Sequence, residues 1–314
     1  MISICTVSLR DRFWGKQPES GSARGTRGAA RLHRLRLILE VSAIAIVAGA
    51  GSAMAADLGA CGTIISKPGF YQVTQDLSAS GGDCIDVNSA RAILFLNGHQ
   101  LSGNGRGTGI KFSARAAHSF LEGGNANISG FAIGVEDAAS NVHGDNFNAN
   151  GNTTGGLLVN GAQNSTFSNF QASNNGSYGV HFLMGSGSVA ESAQASNNGS
   201  YGIWLDGARN VRIDNFDTET NATAGVYLGC ASGGPGGSCT GARRVNSANQ
   251  IYDGFADGNG PYGIVLDSNA SGNIITSVES MNNKSADMLD LGKCGASSWF
   301  GNAFATANPS GCIY

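Results

Sequence analysis

The sequence predicts an all-β solenoid, a chain of short strands wound so that each turn stacks on the one before. Two observations carry that prediction. Between Gly156 and Leu228 one phrase occurs four times, as Gly156-Leu157-Leu158-Val159, Gly179-Val180-His181-Phe182, Gly202-Ile203-Trp204-Leu205 and Gly225-Val226-Tyr227-Leu228, with each start 23 residues after the last. A fixed period of roughly 20–50 residues marks a repeat architecture. Between the starts lie Asn-rich breaks, Ala172-Ser173-Asn174-Asn175-Gly176-Ser177-Tyr178 and its near copy Ala195-Ser196-Asn197-Asn198-Gly199-Ser200-Tyr201. Asn and Gly accept left-handed turn conformations at low cost, so these breaks read as tight turns.

What fills the period selects strands over helices. Each unit offers short β-branched and aromatic runs, such as Val211-Arg212-Ile213-Asp214-Asn215-Phe216, split by Gly, Asn, Ser and Asp. No helix fits between those breaks, and the several leucines that a leucine-rich repeat needs are missing. Two or three short strands per coil, stacked as parallel sheets, remain.

The first 55 residues read as targeting. Arg31, Arg34 and Arg36 precede an apolar run from Leu37 to Ala50, and Ala53-Met54-Ala55 supplies small residues for cleavage, with a mature start near Ala56. The segment before Arg31 is long for a signal, and an uncleaved anchor is the alternative, although the run falls short of the ~20 residues a span needs. Residues 56–314 then form one β-solenoid domain, with an inserted loop over 229–243 and a C-terminal cap over 290–314. Residues 1–55 hold 8 of the 19 Lys and Arg and 3 of the 22 Asp and Glu, which leaves 11 basic and 19 acidic residues and a net charge of −8. That balance argues against nucleic acid and anionic membrane as partners.

Six cysteines follow the leader, an even count that in an exported chain reads as disulfides. Cys61 and Cys84 are 23 residues apart, one coil, and neighbouring coils lie ~4.8 Å apart, within disulfide reach. Cys230–Cys239 would close a Gly-rich loop and Cys294–Cys312 would tie down the tail; a metal at Cys230 and Cys239 is the alternative, without a CxxC or clustered His to support it.

The coils can be counted by the last apolar residue of each marker strand: Val87, Phe112, Val135, Val159, Phe182, Leu205, Leu228, Leu266 and Leu289. The steps are 25, 23, 24, 23, 23, 23, 38 and 23 residues. The step of 38 contains the insertion that begins at Gly229-Cys230, and insertions in solenoids project from one face, often the binding face. The residue between the two inward positions points outward, which gives the column Lys111, Gly134, Leu158, His181, Trp204, Tyr227, Val265 and Met288. His181, Trp204 and Tyr227 on consecutive rungs would floor a groove for sugar rings, with the loop as wall and Arg243 and Arg244 as a cationic rim. The competing reading is that β-propensity supplies the aromatics and the loop covers them.

The stretches Cys61-Gly62-Thr63-Ile64-Ile65 with Gln75-Asp76-Leu77, Leu94-Phe95-Leu96-Asn97-Gly98-His99, and Cys294-Gly295-Ala296-Ser297-Ser298-Trp299 with Asn308-Pro309 resemble the right-handed parallel β-helix proteins of the pectate-lyase-like superfamily. With the repeats, the resemblance covers almost all of 57–314. It implies a single-stranded right-handed parallel β-helix solenoid of about nine to ten coils. Its superfamily contains lyases, hydrolases, epimerases and proteins without known activity. Asp206, Asp267 and Asp290 follow marker strands, while Asp214 and Asp217 lie near Arg212, and Asp/Arg pairs resemble the calcium-and-arginine chemistry of the family's uronate lyases. Asp206, Asp214 and Arg212 are therefore the candidate catalytic set, against their reading as turn formers.

The Asn-Thr-Asp, Asp-Asp, Gly-His-Gly and Arg-Ile-Lys series of the family's hydrolases is missing, as are the Asp-Pro-His-Asp motif of the alginate epimerases and the calcium-binding glycine nonapeptide. The expected function is an exported, periplasmic or secreted, monomeric protein that contacts polysaccharide, acidic in one version, in a binding or envelope-surface role. No cofactor is implied, calcium entering only with a lyase. The alternatives are a lyase or hydrolase on uronate-rich glycan and an accessory periplasmic β-helix protein.

Overall fold

Asn and Gly decide where this chain bends, and apolar residues decide which side of each straight piece turns inward. The computed structural model describes residues 55–230, 235–236 and 245–314. The leader, Cys239 and with it the expected Cys230–Cys239 disulfide, most of the 229–243 loop, and Arg243 and Arg244 lie outside the described residues. Among those described, no helix occurs. Two large sheets account for most strands, one of eleven and one of fourteen, and every neighbouring pair in them is parallel.

The eleven-stranded sheet takes one strand from each turn in chain order, from Thr63–Ile65 to Ala307–Asn308. Its central rungs are Gly155–Asn160, Tyr178–Leu183, Tyr201–Asp206 and Ala224–Leu228, the four repeated phrases. Val180, Ile203 and Val226 lie in register and point into the core, as do Phe182, Leu205 and Leu228. The insertion does not disturb this order: Leu228 pairs with Leu266, 38 residues on, as if the extra residues were absent.

Two rungs differ from the sequence count. Asp137, not Val135, aligns with Phe112 and Val159, and Asp290, not Leu289, aligns with Leu266. The steps are therefore 25, 25, 22, 23, 23, 23, 38 and 24. Counting by the last apolar residue failed because a buried carboxylate occupies the inward position on both rungs, Asp137 being fully buried and Asp290 nearly so. Hydrogen bonds offset the burial of each carboxylate, in part for Asp137, which accepts from the Ala139 N–H at 2.9 Å, and at both oxygens for Asp290, which accepts from Trp299 Nε1 at 2.9 Å and the Gly292 N–H at 2.9 Å.

Each Asn pair in the breaks divides its work. Asn174 and Asn197 adopt φ of 59° and 58° and make the left-handed turn. Asn175 and Asn198 are buried instead. The buried set forms a ladder in which Asn152, Asn175, Asn198 and Asn221 each use their backbone N–H to donate to Oδ1 of the next, at 2.9, 3.0, 2.9 and 3.0 Å, the last reaching Asn259. This ladder satisfies backbone groups that the turns would strand inside the core. Aromatic layers fill the space beside it, with Phe147 and Phe170 stacked at 5.3 Å between centroids.

Disulfides hold both ends. Cys61–Cys84 joins the first rung to the second at a Cα separation of 4.1 Å, one coil apart as the spacing predicts, and Cys294–Cys312 ties the tail at 5.3 Å. Terminal coils lack one stacking neighbour and fray most easily, so a covalent link is most useful there.

Candidate functional site

The predicted aromatic column exists, but it is not open to solvent. His181, Trp204 and Tyr227 occupy consecutive rungs of the eleven-stranded sheet on the face away from the core. The His181 and Trp204 rings stack at 3.9 Å with 2° between their planes, and Tyr201 stacks on Tyr227 at 4.8 Å. Their exposures are 6%, 8% and 0% for His181, Trp204 and Tyr227. The column itself is also shifted at its ends, with Glu136 and Leu289 in place of Gly134 and Met288. Part of the cover comes from the chain as it leaves the sheet: Trp204 Nε1 donates to the Gly229 carbonyl at 3.0 Å, and a Cβ added at Gly229 would fall 2.1 Å from the Tyr227 ring. Glycine is required there because the backbone lies against the ring.

Carboxylates border this buried face. The Tyr227 hydroxyl donates to Asp267 Oδ2 at 2.9 Å, and burial followed by that hydrogen bond raises its pKa far above the ordinary range. Burial likewise pushes Tyr201 up to about 12. These phenols are neutral donors at any working pH.

The three candidate catalytic residues do not meet. Asp206 is fully buried and pairs in register with Leu183 in the eleven-stranded sheet. Arg212 and Asp214 lie on Arg212–Asp214 of the fourteen-stranded sheet, bonded to each other at 2.6 Å, with the Arg212 guanidinium 4.8 Å above the Tyr252 ring. The spacing that suggested one site spans two faces of the solenoid. Asp290, bound to Trp299, holds the cap, and among the described residues no group of three or more His, Cys, Asp or Glu is arranged to hold a metal ion.

An open feature that the sequence reading missed runs along the fourteen-stranded sheet. From His143–Asn148 onward, seven successive strands each bend at one left-handed residue, and these residues stack: Asn146, Asn169, Ser192, Asn215, Asp253, Ser277 and Gly301 have φ between 50° and 65°. A bend repeated at one register on seven successive rungs makes a concave strip parallel to the solenoid axis. Two stretches of it form cavities. One, of about 450 Å³, is lined by Asp253, Phe255, Ser277, Glu279, Gly301 and Ala303. The other, of about 260 Å³, is lined by Asn125, Asn148, Asn169, Gln171, Ser192 and Gln194.

The groove is flanked by two ordered columns. On one side stand Glu122, Asp145, Ser168, Glu191, Asp214, Tyr252, Thr276 and Phe300, paired rung to rung. On the other stand Asn127, Asn148, Gln171, Gln194, Asp217, Phe255, Glu279 and Ala303. The signal was present in the sequence, since Asn146, Asn169, Ser192 and Asn215 are 23 residues apart. Their common conformation was not.

Residues 108–240 match the family described as right handed beta helix region. The fold is a right-handed parallel β-helix. Among solved structures, the Azotobacter vinelandii mannuronan C-5 epimerase AlgE6 A-module is similar at 14% identity and a TM-score of 0.61, over 79% of this β-helix chain and 76% of that one. The Dettilon tailspike protein is similar at 15% identity and a TM-score of 0.59, over 81% of this chain and 54% of that one, so the chain spans about half the length of the tailspike. No curated protein matches the β-helix sequence.

Proposed function

We propose that this β-helix is an exported protein that contacts polysaccharide along the groove of its fourteen-stranded sheet, in a binding or surface role. The observation that carries the reading is the stacked left-handed column and the two cavities along it. Rungs repeat every ~4.8 Å, close to the length of one sugar unit in an extended chain. Side-chain amides and hydroxyls at every rung but the last offer both donors and acceptors to sugar hydroxyls. Tyr252, Phe255 and the half-exposed Phe300 add ring faces at one end. Two of the similar structures are a mannuronan C-5 epimerase module and a tailspike. The disulfides at both ends support an oxidising compartment.

The buried aromatic column does not compete with this reading, because its rings are already covered. Retention of the protein on immobilised glycans tests the proposal. Gln171→Ala with Gln194→Ala, both exposed, should weaken retention by about 1–3 kcal/mol, the loss of two hydrogen-bonding amides at about 0.5–1.5 kcal/mol each, without change in fold. Retention that survives these changes but is lost in Trp204→Phe would place the contact on the other sheet.

A further inference from the structure

The three columns that build the groove contain seven carboxylates, Glu122, Asp145, Glu191, Asp214, Asp217, Asp253 and Glu279, and no Lys or Arg. On the adjoining column stand Arg212, held by Asp214 at 2.6 Å and lying over Tyr252, and His143, in register between Phe120 and Thr166. Several carboxylates are already supplied with local donors. Asp145 accepts from Ser168 Oγ at 2.6 Å and from Asn169 Nδ2 at 2.8 Å, and Glu122 accepts from Asn146 Nδ2 at 3.3 Å. Glu191, Asp253 and Glu279 are exposed on the groove surface.

Building on the reading of this groove as a glycan contact, we infer that it selects a polysaccharide carrying protonated amino groups and rejects uronates. A line of like charges one or two rungs apart makes a negative strip on a surface already short of cations. A polymer with a carboxylate on each sugar would have to bring its own charges against that strip, whereas an ammonium on each sugar would meet an acceptor at nearly every rung. The strip already acts on its own groups: beside it, the Asp257 carboxyl is pushed up to about 6, first by burial and then by Glu279, Glu219 and Asp217. The aromatic end of the groove supplies ring faces against which a sugar ammonium or its C–H face can lie.

The test measures affinity of the intact chain for three oligosaccharides of equal length: fully deacetylated chitosan, its fully N-acetylated counterpart and oligomannuronate. Chitosan should bind roughly tenfold or more tighter than the acetylated form, oligomannuronate weakest, with the chitosan preference falling as salt rises. Glu191→Gln with Glu279→Gln should reduce that preference, whereas Asp57→Asn with Asp76→Asn, two exposed carboxylates in the first coils, should leave it; an equal drop in both would reduce the effect to overall charge and overturn the inference. Acetylated oligomers bound through the groove as tightly as chitosan, or oligomannuronate bound tighter than both, would overturn the charge selection and keep the glycan reading. Failure of all three to bind would overturn both.

Discussion

Replacing Asn198 by Ala should cost far more than replacing its neighbour Asn197, although the two are adjacent and identical in type. The Asn198 side chain is buried and makes four hydrogen bonds: Oδ1 accepts from the Asn175 N–H at 3.0 Å and Asn175 Nδ2 at 3.1 Å, and Nδ2 donates to the Ala172 carbonyl at 3.1 Å and Asn221 Oδ1 at 3.0 Å. Asn221 Oδ1 keeps a bond from the Asn198 N–H at 2.9 Å, so the groups stranded by truncation are chiefly the Asn175 donors and the Ala172 acceptor. Each stranded buried group costs about 1–3 kcal/mol, and partial relaxation puts the total at about 3–5 kcal/mol. Asn197 is exposed, holds φ at 58° and receives one exposed hydrogen bond from Thr220; Ala there costs the left-handed penalty of about 1–2 kcal/mol. Urea unfolding monitored by fluorescence gives the two values, and amide exchange at Asn175 locates the damage. Equal costs, or an Asn198→Ala loss below about 1 kcal/mol, would refute the ladder as a stabilising element.

Two further outcomes follow from buried groups. Burial pushes Asp137 up to about 6 from an ordinary 3.8, outweighing its hydrogen bonds to Ser165 and Ala139; the folded state therefore binds this proton more tightly than the unfolded chain, so stability should fall as pH rises from about 4 to about 6, by up to about 3 kcal/mol for a two-unit shift. Urea midpoints across that range should show a shallower fall in Asp137→Asn, with Asp257 leaving a residual slope of the same sign, and identical slopes in parent and variant would contradict the assignment. Trp204→Ala should destabilise by about 3–5 kcal/mol, as a buried large-to-small change, since it removes the His181 stack and the bond to Gly229; melting unaltered by the change would mean the ring is not packed as described.

The sequence made the solenoid legible because its period is a covalent fact: 23-residue spacing survives whatever the side chains do, and Cys61 with Cys84 lies on it. The errors came where one letter served two purposes. At Ile133–Asp137 the inward position is Asp137, and a count that follows apolar residues slips there by two, which exchanges Gly134 for Glu136 in the outer column. Trp204 and Tyr227 alternate away from the core as expected, but a two-residue period reports only which side of a sheet a residue takes. Whether that side is covered depends on chain from elsewhere, here including Gly229, whose fit against Tyr227 no local pattern announces.

The groove was hidden for a related reason. Asn, Ser, Asp and Gly at Asn169, Ser192, Asp253 and Gly301 read as ordinary turn formers, and each alone would merely bend a strand. Their effect is collective: with φ near 50–65° at one register on successive rungs, the bends add into an axial concavity, and a single extended residue in the column would flatten it locally. The tolerance of the column for four residue types follows from what the conformation demands, a small side chain or one that bonds locally, not a particular chemistry. Chemistry is free to vary on the flanking columns, amide-rich at Asn148, Gln171 and Gln194 and acidic or aromatic from Asp217 to Glu279. Shape is thus set by the bend residues, and under the proposed glycan reading selectivity is set by their neighbours, so substitutions at Gln194 or Glu279 should alter what the groove accepts while the solenoid beneath them is unchanged.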